Sequence, residues 1–147
     1  SMKLLGEGLL GSAREAEGIS WLEKAADAGV LDADVEVGDY FYGERFMGMP
    51  NPHKDLARAF KHYAHAAEGG NWRGQDAYAY AYFYGRGTKK DGAEAYKWAL
   101  IANDSKDKDA AASLDYLKTN LKAAEMAEGE KRAAAWRAAH KGSSVGK

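Results

Sequence analysis

The 147-residue sequence contains no cysteine, which excludes both a disulfide framework and a thiolate metal site. Its formal net charge of −1 gives no electrostatic attraction toward nucleic acid or an anionic membrane surface. Apolar runs are short, and none approaches the roughly 20 residues that a membrane-spanning helix needs. We therefore expect a chain that binds no nucleic acid and does not insert into a membrane.

Proline is nearly absent, because only Pro50 and Pro52 occur and they lie in one short segment. β-Branched residues are also sparse, whereas alanine, leucine, glutamate and lysine dominate outside the loops, which favours helix. Apolar side chains recur at spacings of three and four residues. The sequence predicts helices at about residues 3–11, 13–28, 33–42, 54–68, 72–84, 92–103, 110–121 and 123–140.

The segment 70–87, GNWRGQDAYAYAYFYGRG, occurs a second time upstream in altered form. Aligned on Gly29, the sequence GVLDADVEVGDYFY matches GNWRGQDAYAYAYF position for position in residue size. Repeated helix pairs cannot bury their own apolar faces and must stack on their neighbours. The fold class predicted is therefore all-α, a solenoid of antiparallel helix pairs, which usually offers a binding surface rather than a catalytic pocket.

The third copy of the repeat shows the motif most completely. Its motif residues are Gly74, Tyr78, Ala79, Tyr82, Gly85, Arg86, Gly87, Thr88, Asp91, Ala95, Trp98, Ile101 and Ala102. On this pattern the chain resembles the Sel1-like repeat family, α/α solenoids related to the tetratricopeptide repeats. The copy departs from the family pattern in having Ala79 in place of a glycine and Asn103 in place of the second alanine.

The resemblance implies a right-handed solenoid whose repeats occupy approximately residues 3–29, 30–70 and 71–106. Residues 107–141 look like the capping helices that close many bacterial members. Residues 1–141 are thus expected to form one domain, followed by a flexible tail at 142–147. The second copy differs most, because it carries extra residues between its helices and has Glu44 in place of a loop glycine.

The motif residues have structural explanations. Small residues such as Ala26, Ala67 and Ala102 allow close approach of paired helices, and Asp91 can cap the start of a helix. Gly85 and Gly87 permit positive φ in a tight turn. We expect these positions to serve folding, so recognition must use other faces.

The first helices of stacked pairs line the concave side of such a solenoid. Helical spacing selects these side chains for that side: Asp32, Glu36, Asp39, Arg73, Asp76, Tyr80 and Tyr84, and we include Tyr40 as a residue near that stripe. Tyrosine offers a large contact area at low entropy cost, so mixed charges and tyrosines suit a protein or peptide partner. The alternative is that these aromatic rings pack between neighbouring first helices.

The segment 45–53 is the main local departure from the repeat and offers three apolar side chains, Phe46, Met47 and Met49. Exposed methionine adapts to varied partners, and loops often carry function. We predict that this loop also contacts the partner. The alternative is that its side chains fold back and cover the edge of the solenoid.

His62 and His65 have helical spacing that can hold a metal ion, with His53 or Asp55 as possible neighbours. They occupy motif positions, however, and no third ligand is obvious, so we predict no metal and no cofactor. The sequence has no G-x-S-x-G, H-E-x-x-H or Walker pattern and no cysteine nucleophile. We therefore predict that the protein is not an enzyme.

The resulting hypothesis is a protein–protein interaction scaffold or adaptor that binds a partner on its concave face. One alternative is an immunity protein that neutralises a secreted toxin. Others are a β-lactam- or cell-wall-related enzyme, which rests on family resemblance alone, and a self-assembling structural module. The resemblance implies a bacterial protein, and the compartment stays open between cytoplasm and periplasm because Ser1 before Met2 is typical of a cloning remnant.

Overall fold

The computed structural model describes residues 15–46 and 48–141. Its helices are α1 (Glu15–Asp27), α2 (Leu31–Tyr42), α3 (Leu56–Glu68), α4 (Trp72–Tyr84), α5 (Gly92–Asn103), α6 (Lys108–Asn120) and α7 (Ala123–Ala139). Between α2 and α3, the short strands β1 (Arg45–Phe46) and β2 (Met49–Pro50) pair as an antiparallel hairpin. The predicted all-α solenoid is confirmed, while the helix predicted at 3–11 and the tail at 142–147 lie outside the described residues.

Side-chain caps explain where several helices begin. Asp91 accepts a hydrogen bond from the Glu94 amide at 3.0 Å, as predicted, and α5 has the predicted bounds. Asp55 caps α3 in the same way, so that helix begins at Leu56 and not at residue 54. The bounds of α4 also match the prediction, and the remaining helices differ from it by one or two residues at one end or at both, because periodicity marks a helix better than its ends.

Two glycines close the turn after α4 as predicted. Gly85 has φ +70° and Gly87 has φ +80°, a region that costs other residues free energy. A Cβ atom at Gly87 would lie 2.4 Å from the Leu56 carbonyl oxygen. The turn after α4 therefore packs directly on the start of α3, and only glycine fits that contact.

The helices pack in sequence order from α1 to α6, and α7 packs against α5. In addition, α2 contacts α4 and α4 contacts α6, so these three first helices form one continuous row. Within the described residues, no helix is both long and apolar enough to span a lipid bilayer. The part of this row formed by α2 and α4 carries the residues that the sequence predicted for recognition.

Small and aromatic residues share the core. Ala26, Ala67 and Ala102 are at most 2% exposed, which confirms their predicted place between helices. Trp98 is 1% exposed, and its ring centroid lies 5.5 Å from that of Trp136. Trp136 thereby anchors α7 to the repeats.

Candidate functional site

A groove of about 590 Å³ runs along the row of first helices. It is lined by Val35, Glu36, Asp39 and Tyr42 of α2, Tyr63 of α3, Trp72, Arg73, Asp76, Ala77, Tyr80 and Tyr84 of α4, and Asp109 of α6. Residues three and four apart share one face of a helix, so α2 and α4 each present a stripe to this groove. Six of the eight residues predicted for the concave face lie here: Glu36, Asp39, Arg73, Asp76, Tyr80 and Tyr84.

Two of the predicted concave-face residues lie elsewhere. Tyr40 is 8% exposed, its hydroxyl donates to Glu15, and its ring stacks on His53 with centroids 5.5 Å apart. One residue along a helix is a rotation of about 100°, which carries Tyr40 away from Asp39 and toward α1. Asp32 instead accepts a hydrogen bond at 2.9 Å from the side-chain amide of Asn71, at the start of α4.

Three clustered tyrosines, of which Tyr84 and Tyr116 are exposed and Tyr80 is half-buried, form an aromatic surface at the groove, and we call Tyr80, Tyr84 and Tyr116 the tyrosine platform. The Tyr80 and Tyr84 rings are nearly parallel, with centroids 6.1 Å apart. Tyr116 of α6 lies 6.3 Å from Tyr80 by ring centroids, and its hydroxyl is 3.3 Å from that of Tyr84. Tyr84 is 49% exposed and Tyr116 is 44% exposed, so the platform faces solvent.

Sequence reasoning missed Tyr116 because it treated the residues after 106 as a cap. The helix that carries it continues the row of first helices, and this position in the row was the available signal. The platform therefore joins the third repeat to the capping region.

Carboxylates dominate the charged side chains that line the groove. Among the described residues that line it, four are acidic and one, Arg73, is basic. Burial raises the pKa of Asp76 to about 6, against an opposing hydrogen bond from Ser113, and the charges of Asp109 and Asp107 add to the rise. Within the described structure, the buried Oδ1 atom of Asp76 has no hydrogen-bond partner. The groove lining thus carries an excess of negative charge and one carboxylate oxygen that has no hydrogen-bond partner among the described residues.

Asp39 also lines the groove and accepts a hydrogen bond from the Tyr63 hydroxyl at 2.5 Å. Loss of surrounding water raises the pKa of Asp39, while the Tyr63 bond and the charge of Arg73 oppose that rise. The residue as a whole remains exposed to solvent. Tyr63 is 2% exposed and fixes the position of the carboxylate.

A second cavity of about 580 Å³ adjoins the groove and shares Tyr42 and Tyr84 with it. Arg86 lies here with its guanidinium 4.4 Å from the centroid of the Tyr42 ring. The same guanidinium pairs with Glu44 Oε1 at 2.6 Å and donates to the Tyr42 carbonyl at 2.8 Å. Sequence reasoning assigned Arg86 to the repeat motif alone and did not identify this stacked ion pair.

The loop that was predicted to contact a partner forms the small hairpin. Phe46 pairs with Met49, whose side chain is 66% exposed, while Met47 lies outside the described residues. Asn51 is buried and holds the hairpin, because its side-chain amide donates to the carbonyls of Tyr40 at 2.8 Å and Gly43 at 2.9 Å. The exposed Met49 is therefore displayed on an ordered support.

His62 and His65 both face one carboxylate, that of Asp34. Asp34 is 2% exposed, and its Oδ1 lies 2.9 Å from His62 Nδ1, while its Oδ2 contacts His65 Nδ1. Within residues 15–46 and 48–141, no group of three or more histidine and carboxylate side chains is placed to hold a metal ion. The pair instead joins α3 to α2 through hydrogen bonds, and sequence reasoning did not identify Asp34 as its partner.

A family model for the Sel1 repeat matches residues 2–30, 31–71 and 72–107 of the chain. Comparison with curated protein sequences finds no match. The matched segments account for the helix pairs up to α5 and for the inserted hairpin within the second repeat.

Two crystal structures share the fold. One is c5321, a protective antigen present in uropathogenic Escherichia coli strains and displaying an SLR fold, which aligns with 93% of this chain at a TM-score of 0.78 and 23% identity. The other, a Sel1 repeat protein from Oxalobacter formigenes, aligns with 92% at a TM-score of 0.64 and 25% identity. The chain spans 29% and 40% of these proteins, respectively.

Sel1 repeats are generally non-catalytic modules for protein–protein interaction, in agreement with a fold that presents a row of helices along one groove. From its repeat motif, its stacked helix pairs and the three matched segments, the chain belongs to the Sel1 repeat family.

Proposed function

We propose that this protein is an interaction scaffold that binds an extended segment of a partner protein in the groove along α2, α4 and α6. The observation that carries the proposal is the tyrosine platform, because Tyr84 and Tyr116 are large, clustered and 49% and 44% exposed beside a concave surface. Clustered exposed aromatic residues are typical of interfaces, where tyrosine is enriched.

The groove is held in place before a partner arrives. The Tyr63 hydroxyl fixes Asp39, and the stacked Arg86 fixes the end near Tyr42. A site whose side chains are already ordered loses less conformational entropy when it binds, which favours affinity. This rigidity supports recognition of a flexible segment by a preformed surface.

The hairpin extends the proposed surface. It follows Gly43 and Glu44, which line the cavity that adjoins the groove. A segment that leaves the groove past Tyr42 is thereby led toward the exposed Met49 side chain. We include Met49 as an outer contact, because methionine packs well against varied partners.

Site-specific photo-crosslinking in the native cells tests the proposal. The photoreactive residue p-benzoylphenylalanine replaces Tyr84 in the groove or, as a control, the exposed Lys131 on α7. We expect one partner segment to be crosslinked from position 84 and not from position 131, as identified by mass spectrometry. The combined Tyr80→Ala and Tyr116→Ala change should reduce that yield. Equal products from both positions, or no product from position 84, would contradict the proposal.

A further inference from the structure

The chemistry of the groove also indicates what kind of segment occupies it. We propose that the occupant is a basic segment, in which an arginine stacks on the tyrosine platform while its guanidinium faces Asp39 and Asp76. This inference rests on the proposed function and names the partner chemistry of the same groove.

Charge complementarity is the first argument. Four carboxylates against one basic side chain, among the described lining residues, leave the groove with an excess of negative charge. The negative charges of Asp109 and Asp107 also repel the ionised Asp76 carboxylate. A positively charged segment would relieve this repulsion, whereas an acidic segment would increase it.

The oxygen of the Asp76 carboxylate that lacks a donor is the second argument. Asp76 Oδ1 is buried and, within the described structure, lacks a hydrogen-bond partner. A buried acceptor without a donor is unfavourable, and a charged donor satisfies a carboxylate better than a neutral one. An apolar segment would cover Asp76 without donating to it, so the groove favours a segment that brings N–H groups.

The third argument selects arginine over lysine. A planar guanidinium can stack on an aromatic ring and donate to a carboxylate at the same time, which an ammonium group does less well. The protein makes this contact itself, since Arg86 lies 4.4 Å from the Tyr42 ring centroid and 2.6 Å from Glu44. Arg58 makes the same two contacts, since its guanidinium lies 4.4 Å from the Phe41 ring centroid and 2.5 Å from Glu23 Oε2. The platform and Asp76 offer a partner the same combination of ring and carboxylate.

Fluorescence anisotropy with three labelled peptides tests the inference directly. The first peptide alternates arginine with glycine, serine and tyrosine; the second has citrulline for each arginine; the third has glutamate. Citrulline keeps the planar shape and removes the charge. We expect the arginine peptide to bind at least about tenfold more tightly than the citrulline peptide at low salt. Equal affinities, a preference for the glutamate peptide, or no binding of the arginine peptide below about 1 mM would overturn the inference.

A pair of double variants assigns the effect to the groove. Asp39→Asn with Asp76→Asn should remove most of the preference for arginine over citrulline. The control, Asp27→Asn with Glu130→Gln, removes the same two charges at exposed positions outside the groove and should retain it. Circular dichroism of both variants verifies the fold. A preference that survives the groove variant, or that both variants lose equally, would overturn the inference.

The crosslinking experiment separates this inference from the proposed function. A segment crosslinked from position 84 that contains arginine supports both. A crosslinked segment without basic residues overturns the inference and leaves the proposed function standing. The absence of any crosslinked segment contradicts the proposed function itself.

Discussion

At the level of single residues, the Asp34 carboxylate joins two helices by accepting hydrogen bonds from His62 and His65. Asparagine has nearly the same shape, but it loses the charge and turns a donor toward one imidazole. We expect Asp34→Asn to lower the free energy of unfolding by about 1–3 kcal/mol, as for other broken buried hydrogen bonds. Urea unfolding measures this, with the exposed Asp27→Asn as a control that stays within about 0.5 kcal/mol. Equal midpoints for both variants would contradict a structural role for Asp34.

We expect removal of the charge at Asp76 to stabilise the fold, in contrast to Asp34, and this effect depends on pH. The pKa of Asp76 is raised from 3.8 to about 6 in the folded protein, chiefly by burial. Between these values the folded state binds more protons than the unfolded state, so the contribution of Asp76 to stability falls as pH rises through about 4 to 6. At pH 7.5 the ionised carboxylate therefore destabilises the fold, which is consistent with a residue that serves binding.

Asp76→Asn tests this linkage through thermal unfolding at two pH values. At pH about 7.5 the variant should gain roughly 1–3 kcal/mol over the parent protein, because a neutral amide is easier to bury than a carboxylate. The gain should vanish near pH about 3, below both pKa values, where Asp76 is mostly protonated in both states. A gain of equal size at both pH values would mean that charge is not its cause.

The same residues show what a single sequence can and cannot reveal. Helical spacing placed Glu36, Asp39 and Asp76 correctly, because a regular helix fixes which side chains share a face. Tyr40 was included only as a neighbour of that face, and one residue beyond Asp39 it turns toward α1 instead. Helical spacing gave no partner for Asp34, because its contact with His62 spans 28 positions and arises only when α2 and α3 pack.

At the level of helices, α7 docks on α5 through Gly129. A Cβ atom there would lie 2.8 Å from the Ala93 carbonyl oxygen and 2.9 Å from Tyr96 Cβ. Alanine favours helix over glycine by about 1 kcal/mol, but the clash moves the two helices apart. We therefore expect Gly129→Ala to destabilise the protein by about 1–3 kcal/mol in thermal unfolding. Glu130→Ala at the next, exposed position serves as control, and a stabilised Gly129→Ala variant would contradict the close approach.

Helices were easier to predict than the segment between α2 and α3. The end signals of α4 and α5 are local, since Asn71 and Asp91 cap their starts and Gly85 closes α4. The hairpin depends instead on Asn51, whose amide reaches back to carbonyls at the end of α2. Its sequence, with two prolines, predicted only a loop, because such contacts over a distance leave no periodic pattern.

At the level of the whole molecule, the groove exists because α2, α4 and α6 lie in one row. The repeat in the sequence predicted that row through α4, since two aligned copies place equivalent helices side by side. It stopped short of α6, which lies after the last matched repeat at 72–107. The capping region therefore has a second role in our proposal, because it supplies Tyr116 and Asp109 to the binding surface.

Tyr116→Ala tests whether the cap takes part in recognition. Because Tyr116 is 44% exposed, its truncation should change the free energy of unfolding by no more than about 0.5 kcal/mol. Loss of an interface tyrosine should nevertheless weaken partner binding by about 1–2 kcal/mol, measured as the affinity for the crosslinked segment. Lys118→Ala, on an exposed part of the same helix, should alter neither quantity. If Tyr116→Ala binds as tightly as the parent protein, recognition ends at α4, and α6 serves only to cover the last repeat.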